Sequence, residues 1–570
     1  MDKNTKIAFL LIALIIIFYP YFMPKQEKPV SEERNTPAKA VEETLLRDNV
    51  SEEVAPDFNT PLIDAGQEDD GTAPAFVAQK AVDIKIETDL FKAVISTKNG
   101  AVRSWKTKNY KSRVDTTKLV ELVKQGTENL LSEIHFSNSS ELKDLIYETD
   151  KEDILLTGAG ETADLTLSCR DGEGNLLYTK KFRFYSDKYS FDLAIDTTPV
   201  FDRLRQEKAV VMKWPNGVNF TEVSDNGKNT NREEYYRATY AKTADDLEEY
   251  DDNDDQEVIR NGILWAATRS KYFEVFMAAE GEKFSEFSNY PAHDKPEAHY
   301  TSMGFSVGFD KNTDPVKKML VYFGPMDYEI FKSYGKQFDL TMNWGWDIVK
   351  PFSLAIYWTL KFLHNYISNY GMVIIILSLL VNTIVLPFTL KSYKSQAEMK
   401  KIQPELKIIK EKYKTDMQKQ QQATMELYKK HKVNPFGTCL PTLLPMPILY
   451  GMFIVFGATI EFRNADFMLW INDLSLPEIM FTLPFAVPLY GANVGLLPII
   501  MGATMFFQMK DTMGADPNQK MMMWFMPVFM VVLFNNLSSG LILYYTVGNF
   551  YRIAQQKLTI KPEPAAAVKK

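Results

Sequence analysis

Cysteine is almost missing from this chain: two residues in 570, Cys169 and Cys439, too few for a disulfide framework. Histidine is nearly as rare, with five, and none of them forms the HExxH pair that holds zinc on one helix face. The glycine-rich lysine loop that cradles nucleotide phosphates is absent, and so is the GxSxG turn of a serine nucleophile. The sequence therefore offers no support for an enzyme, a cofactor or a metal centre, and nothing in it calls for nucleic-acid specificity. Basic residues are sparse enough in the first half to leave a formal net charge of −8. Runs such as Glu248-Glu249-Tyr250-Asp251-Asp252 carry that excess and read as a solvated loop. A calcium site there lacks the EF-hand spacing and its central glycine.

What is present is a long uncharged run, Gly371 to Leu390. At about 1.5 Å per residue it reaches roughly 30 Å, the thickness of a bilayer's hydrocarbon. Ser378 and Asn382, four apart, share one of its faces. Pro387 sits near the far end, where a break is least costly. A lysine-dense segment follows directly and must stay in water.

Ile7 to Phe22 is a second apolar run, behind Lys3 and Lys6. Bulky residues around Pro20 to Pro24 replace the small-x-small pattern of a cleavage site, which favours an uncleaved anchor (residues 1–24). Residues 25–80 have the composition of a flexible acidic tether. From 81 to 325, short alternating runs such as Val82-Asp-Ile84-Lys-Ile86 and FKAVIST are punctuated by Asn-Gly and Asp-Gly, which predicts an all-β sandwich. Trp105 and Trp214 read as its core ahead of any sugar or peptide site. Residues 326–350, with Tyr328, Phe331, Tyr334 and Phe338 at helical steps and Trp344 and Trp346 at the end, predict an amphipathic helix at a membrane surface, or a last helix packed on the sandwich; the two are compatible.

The remaining chain alternates apolar and basic. Spans are expected at 351–390, 435–460, 495–509, 521–535 and 538–556. Between them lie a basic hairpin (391–434), a loop (461–494) with Arg463 as its single basic residue, and a turn (510–520); a basic tail (557–570) follows. Starting from a cytoplasmic N-terminus, this order puts the β domain outside. The lysine hairpin, turn and tail then fall inside, as the positive-inside rule requires. Cys169 and Cys439 then lie on opposite sides of the membrane. Met399, Ile402, Leu406, Ile409 and Tyr413 make one face of the hairpin apolar, predicting two packed helices rather than a bare topogenic loop. The spans 495–509 and 521–535 are shorter than the roughly 20 residues a crossing needs.

Polar residues inside spans are expensive and point to function. Ser378, Asn382, Gln508, Tyr545 and Asn549 would line a hydrated groove open to the cytoplasm, although serine and asparagine also serve simply to join helices.

Five segments together resemble the YidC/Oxa/Alb family of membrane insertases. They are Trp344-Gly-Trp346 with the KPF after it, LPFTLKSYKSQAEMKKIQPELK, LYKKHKVNPFGTCLPTLLPMPI, IIMGATMFFQMK and MPVFMVVLFNNLSSGLILYYTVGN. The resemblance implies a multi-domain protein of a bacterial inner membrane. It would comprise an N-terminal anchor, a periplasmic β-supersandwich and a five-helix insertase core with a cytoplasmic helical hairpin. It implies insertion of nascent membrane proteins, alone or with the Sec translocon, without covalent chemistry. The hairpin, with Lys400, Lys401, Lys407 and Lys410, would receive clients and meet the ribosome or targeting factors. Tyr544-Tyr545 matches a client-contacting tyrosine pair, and Ser378 a groove hydroxyl. One departure stands out: the family carries an arginine where this chain has Asn382, so either Arg552, seven residues after Tyr545, substitutes for it or Asn382 itself suffices by hydrating the groove. Two other readings remain: a scaffold whose sandwich binds sugar or peptide, and a transporter, for which no internal repeat appears.

Overall fold

The computed structural model describes residues 80–113, 115–222, 237–243, 246–250, 254–290, 303–312, 314–414, 416–431, 446–487, 490–512 and 517–559. The expected anchor, nearly all of the tether, Cys439 and the end of the basic tail lie outside the described residues.

Three sheets of five, nine and six strands form the first half. Local chemistry sets their turns. Between strands Phe91–Ser96 and Ala101–Lys111 the chain reverses at Asn99 and Gly100, both at positive φ (59° and 56°), the conformation for which Asn-Gly is preferred. A Cβ on Gly100 would meet Lys180 Cδ at 2.9 Å, so glycine is needed there for space as well. Trp105 and Trp214 are fully buried in the sandwich core.

The strand Val316–Pro325 explains how the β domain meets the rest. It pairs with Ser190–Asp196 on one side and Phe273–Glu280 on the other. Successive side chains point to opposite faces of a sheet. Met319, Val321 and Phe323 accordingly enter the sandwich core, while Leu320 and Tyr322 enter a second apolar cluster. That cluster holds Phe331, Phe338 and Trp344 together with Tyr357, Phe456 and Tyr544 from the helical half. A strand buried on both faces needs no polar alternation, hence the unbroken MLVYFGP.

Eight helices follow among the described residues: α1 Tyr328–Ser333, α2 Lys350–His364, α3 Tyr370–Lys412, α4 Met417–Lys430, α5 Met446–Ala458, α6 Leu496–Thr512, α7 Pro517–Phe534 and α8 Ser539–Thr559. Three expectations need correction. First, 326–350 is not one amphipathic helix. Asp327 caps α1 through Glu329 N (2.8 Å) and Ile330 N (3.1 Å), but Gly335 and Gln337 turn left-handed at φ 64° and 63° and end it. Phe331 packs on Phe276 and Tyr322 of the β domain, whereas Tyr328 meets Trp344, Tyr357 and Trp358; α2 buries Ile356, Tyr357 and Leu360 and exposes Phe352, Trp358 and Phe362. Second, α3 runs through Pro387 and Pro404 as one helix of 43 residues, so the span and the first arm of the hairpin are continuous. Each proline removes one backbone bond, and the bonds around it persist. Third, Asp246–Tyr250 is an edge strand on Arg237–Thr243 rather than a loop. Glu249 pairs there with Arg237 (2.8 Å) and Arg269 (3.4 Å).

Tyr370–Ser395 within α3 is the one described helical stretch long and apolar enough to cross a bilayer, with shorter apolar stretches in α5, α6 and α7. Beyond it, α4 folds back on α3, with Ile402 and Leu427 buried together beside Met399, Leu406, Ile409 and Tyr428.

A buried ion network fastens the β domain to the segment after α5. Arg463 Nε donates to Glu222 Oε1 (2.9 Å), and Arg113 Nε stands 2.7 Å from Glu222 Oε2. Arg113 also reaches Ser475 Oγ (2.6 Å) and Asp473 (3.4 Å).

Candidate functional site

Ser378, Asn382, Asn549 and Arg552, four of the polar residues expected to cooperate, meet where α3, α6 and α8 pack. Gly548 makes this possible. A Cβ placed on it would stand 3.0 Å from Asn382 Nδ2, 3.5 Å from Ser378 Oγ and 3.5 Å from Arg552 Nη2. The missing side chain lets three polar groups from two helices converge on one point. Residues 545, 548, 549 and 552 follow the i, i+3, i+4, i+7 spacing of a single helix face, a signal by which Gly548 was legible.

Ser378 departs from its expected role as a groove hydroxyl. It is 0 % exposed, and its Oγ donates to Tyr544 O at 2.9 Å, so it joins α3 to α8. Tyr544 is likewise buried, against Phe456. Asn382 is half-buried and spends its Nδ2 on Ser378 O (2.8 Å). Tyr545 is half-buried, edge-on to Phe534 of α7. Asn549 is buried, with Nδ2 directed to Thr504 Oγ1 (3.2 Å) and Met501 O (3.4 Å) of α6. Its Oδ1 accepts from Arg552 Nη2 at 2.9 Å. Gln508 lies half-buried near the other end of α6. Of the hairpin lysines, Lys401, Lys407 and Lys410 are exposed, and the side chain of Lys400 lies outside the described residues.

Arg552 is the charged member. Its electrostatic neighbours are the phenols of Tyr544, Tyr393 and Tyr545, and no carboxylate is among its described partners. Its Nε makes no described hydrogen bond. An arginine held by one amide and a ring of phenols keeps most of its positive field for whatever enters beside it. Sequence reasoning missed Tyr393, Thr504 and Tyr551, whose hydroxyl meets Thr383 Oγ1 at 2.8 Å.

Elsewhere, Glu133, His135 and Glu141 bring ligand atoms within 4.8 Å of one another. Their carboxylates are already engaged by Lys213 and Lys143, so they form an ion-pair cluster on the β domain.

Residues 362–566 match the family model described as 60Kd inner membrane protein, and residues 83–355 match that of the YidC periplasmic domain. The membrane protein insertase YidC of Chloroherpeton thalassium is 31 % identical over 98 % of this chain and 95 % of its own length. The chain belongs to the YidC family. The YidC insertase of Syntrophus aciditrophicus is also 31 % identical, over 98 % of this chain and 99 % of that one. Among solved structures, an active YidC insertase with its first transmembrane domain resolved covers 85 % of this chain at 18 % identity, with a TM-score of 0.37. In YidC terms, this chain joins a mostly β periplasmic domain to the family's helical C-terminal core.

Proposed function

We propose that the protein inserts nascent membrane proteins through a hydrophilic recess beside Arg552, walled by α3, α6 and α8 and open toward the cytoplasm. The observation that carries this is an arginine without a described carboxylate partner, beside Asn382, Asn549 and tyrosines, where the apolar parts of α3, α6 and α8 pack together. A polar or acidic end of a client enters this recess without full loss of hydration. Its apolar segment moves into lipid, gaining about 25 cal/mol per Å² of buried apolar surface. No bond is made or broken and no fuel is consumed.

In this reading Arg552 takes over, from α8, the cationic role that the family resemblance places at position 382 on α3. The N-terminal run anchors the chain, five further spans form the core, the β domain lies in the periplasm, and the α3–α4 hairpin offers its lysines to clients and to the ribosome or targeting factors. Partnership with the Sec translocon belongs to the same proposal. Photo-crosslinkers at positions 382 and 545 test it with stalled nascent chains in membrane vesicles. Adducts at both, lost when the client's transmembrane segment is deleted, are the expected result. Adducts to lipid alone overturn the recess.

A further inference from the structure

From Ile479 to Met509 the sequence contains no charged residue and no histidine. The second half of this stretch is α6. The first half, assigned to an external loop, folds as a two-stranded hairpin of Phe481–Val487 and Gly491–Val494. Such a hairpin is marginal in water without a further layer, and a solvent-facing loop ordinarily carries charge.

The pairing of the two strands is irregular between Thr482 and Val487, and the hairpin leaves apolar side chains uncovered: Phe481 and Phe485 are 54 % and 63 % exposed. Thr482 Oγ1 donates to Asn493 Oδ1 at 3.0 Å. The base is fixed to the helix ends. Glu478 accepts from Leu496 N (3.0 Å) and Leu497 N (2.6 Å) at the start of α6, and Asn535, just after α7, donates to Asn493 O (2.7 Å).

The helices beneath are short. The apolar part of α6, Leu496 to Met509, spans about 21 Å at 1.5 Å per residue, roughly 9 Å less than a bilayer's hydrocarbon. A sheet layer is about 10 Å thick face to face. Ile499, Ala503 and Phe507 form an exposed stripe at four-residue steps on α6, and the exposed phenylalanines of the hairpin continue its uncharged surface.

We infer that the hairpin lies in the outer leaflet with Phe481 and Phe485 against lipid acyl chains, completing the apolar belt that α6 alone leaves short. The inference rests on α6 spanning the bilayer, as proposed above.

Replacing Phe485, and separately Phe481, with the larger aromatic photo-crosslinker benzoyl-phenylalanine tests this in the full-length protein in native inner-membrane vesicles. Adducts are identified by mass spectrometry. Phe507 serves as the control for a spanning α6 and Leu155, exposed on the β domain, as the control for water. Phospholipid adducts at 481 and 485 comparable with Phe507, and roughly tenfold above Leu155 as expected for partition of a phenylalanine ring, are the expected result. Lipid adducts at 507 but none at 481 and 485 overturn the hairpin assignment alone. Adducts at 481 and 485 to another protein overturn it in favour of a partner surface. No lipid adduct at 507 overturns both the span and the hairpin.

Discussion

Arg463 and Glu222, 241 residues apart, meet through a 2.9 Å hydrogen bond from Nε to Oε1 in a site closed to solvent. Arg463 also donates to Lys111 O at 2.8 Å. One arginine thus holds a helix-connecting loop to two segments of the β domain. Breaking a buried pair costs about 3–5 kcal/mol when the other charge is left uncompensated, but Arg113 still faces Glu222 here. Arg463→Ala should therefore loosen this junction by less than that, read as faster proteolysis and hydrogen exchange around 111–113 and 221–222. The isolated sandwich core should be little affected.

The same contact has a pH signature. Burial alone would raise the Glu222 carboxyl, but Arg463 and Arg113 overcome it and hold the group below its ordinary range. The stabilisation is present above the unfolded glutamate pKa and is lost as pH falls through the depressed native one. Protection of the junction should hold at neutral pH and fall in acid. In Glu222→Gln that acid dependence should be flattened.

Glu274 behaves in the opposite sense. Burial pushes its carboxyl up to about 8, with Arg269 and a hydrogen bond from Thr341 Oγ1 (2.8 Å) opposing the shift. A raised native pKa gives stability that is full below the unfolded value and is lost as pH rises through the native one. Denaturation midpoints of the wild type should decline from about pH 4.5 toward 8 relative to Glu274→Gln, whose neutral amide does not titrate. Parallel pH profiles for the two proteins would contradict this.

The recess offers a compensation test. Arg552→Ala should reduce insertion of clients with acidic termini more than of clients with neutral ones. Adding Asn382→Arg should restore part of the loss, because both side chains approach the same point above Gly548. Gly548→Leu should disable the site by filling that point, while Gly548→Ala, which meets only the ends of movable side chains, should be milder. Insertion of a reporter into proteoliposomes reads all four.

Glu478 supports the start of α6 from outside that helix, accepting from two backbone N–H groups and from Trp470 Nε1. A carboxylate at a helix N-terminus satisfies orphan donors and opposes the helix dipole. Glu478→Ala should cost about 1–2 kcal/mol and increase hydrogen exchange at Leu496 and Leu497 N–H.

Much of this was legible in the residues. The two-residue alternation and Asn-Gly turns announced the sandwich, because strand period and left-handed turns are local properties. The apolar stripe Met399–Ile402–Leu406–Ile409 announced the α3–α4 hairpin for the same reason. The sequence also isolated Arg463 as the lone basic residue of its loop and set Arg552 on the Tyr545 face of α8. It drew 326–350 as one amphipathic helix, because Tyr328, Phe331, Tyr334 and Phe338 satisfy helical spacing, yet Phe331, Tyr334 and Phe338 pack on Phe276 and Tyr322 of a sheet that spacing cannot reveal.

What the chain determined alone is the division into a β half and an apolar helical half, since composition and period require only neighbouring residues. Tertiary structure decided which polar groups meet. Ser378 went to a backbone carbonyl, Asn382 and Arg552 were brought together over Gly548, and Glu222 was buried beside two arginines. Those outcomes depend on how closely separate helices and sheets approach, and a distance between segments far apart in the chain is set only when all of them pack at once.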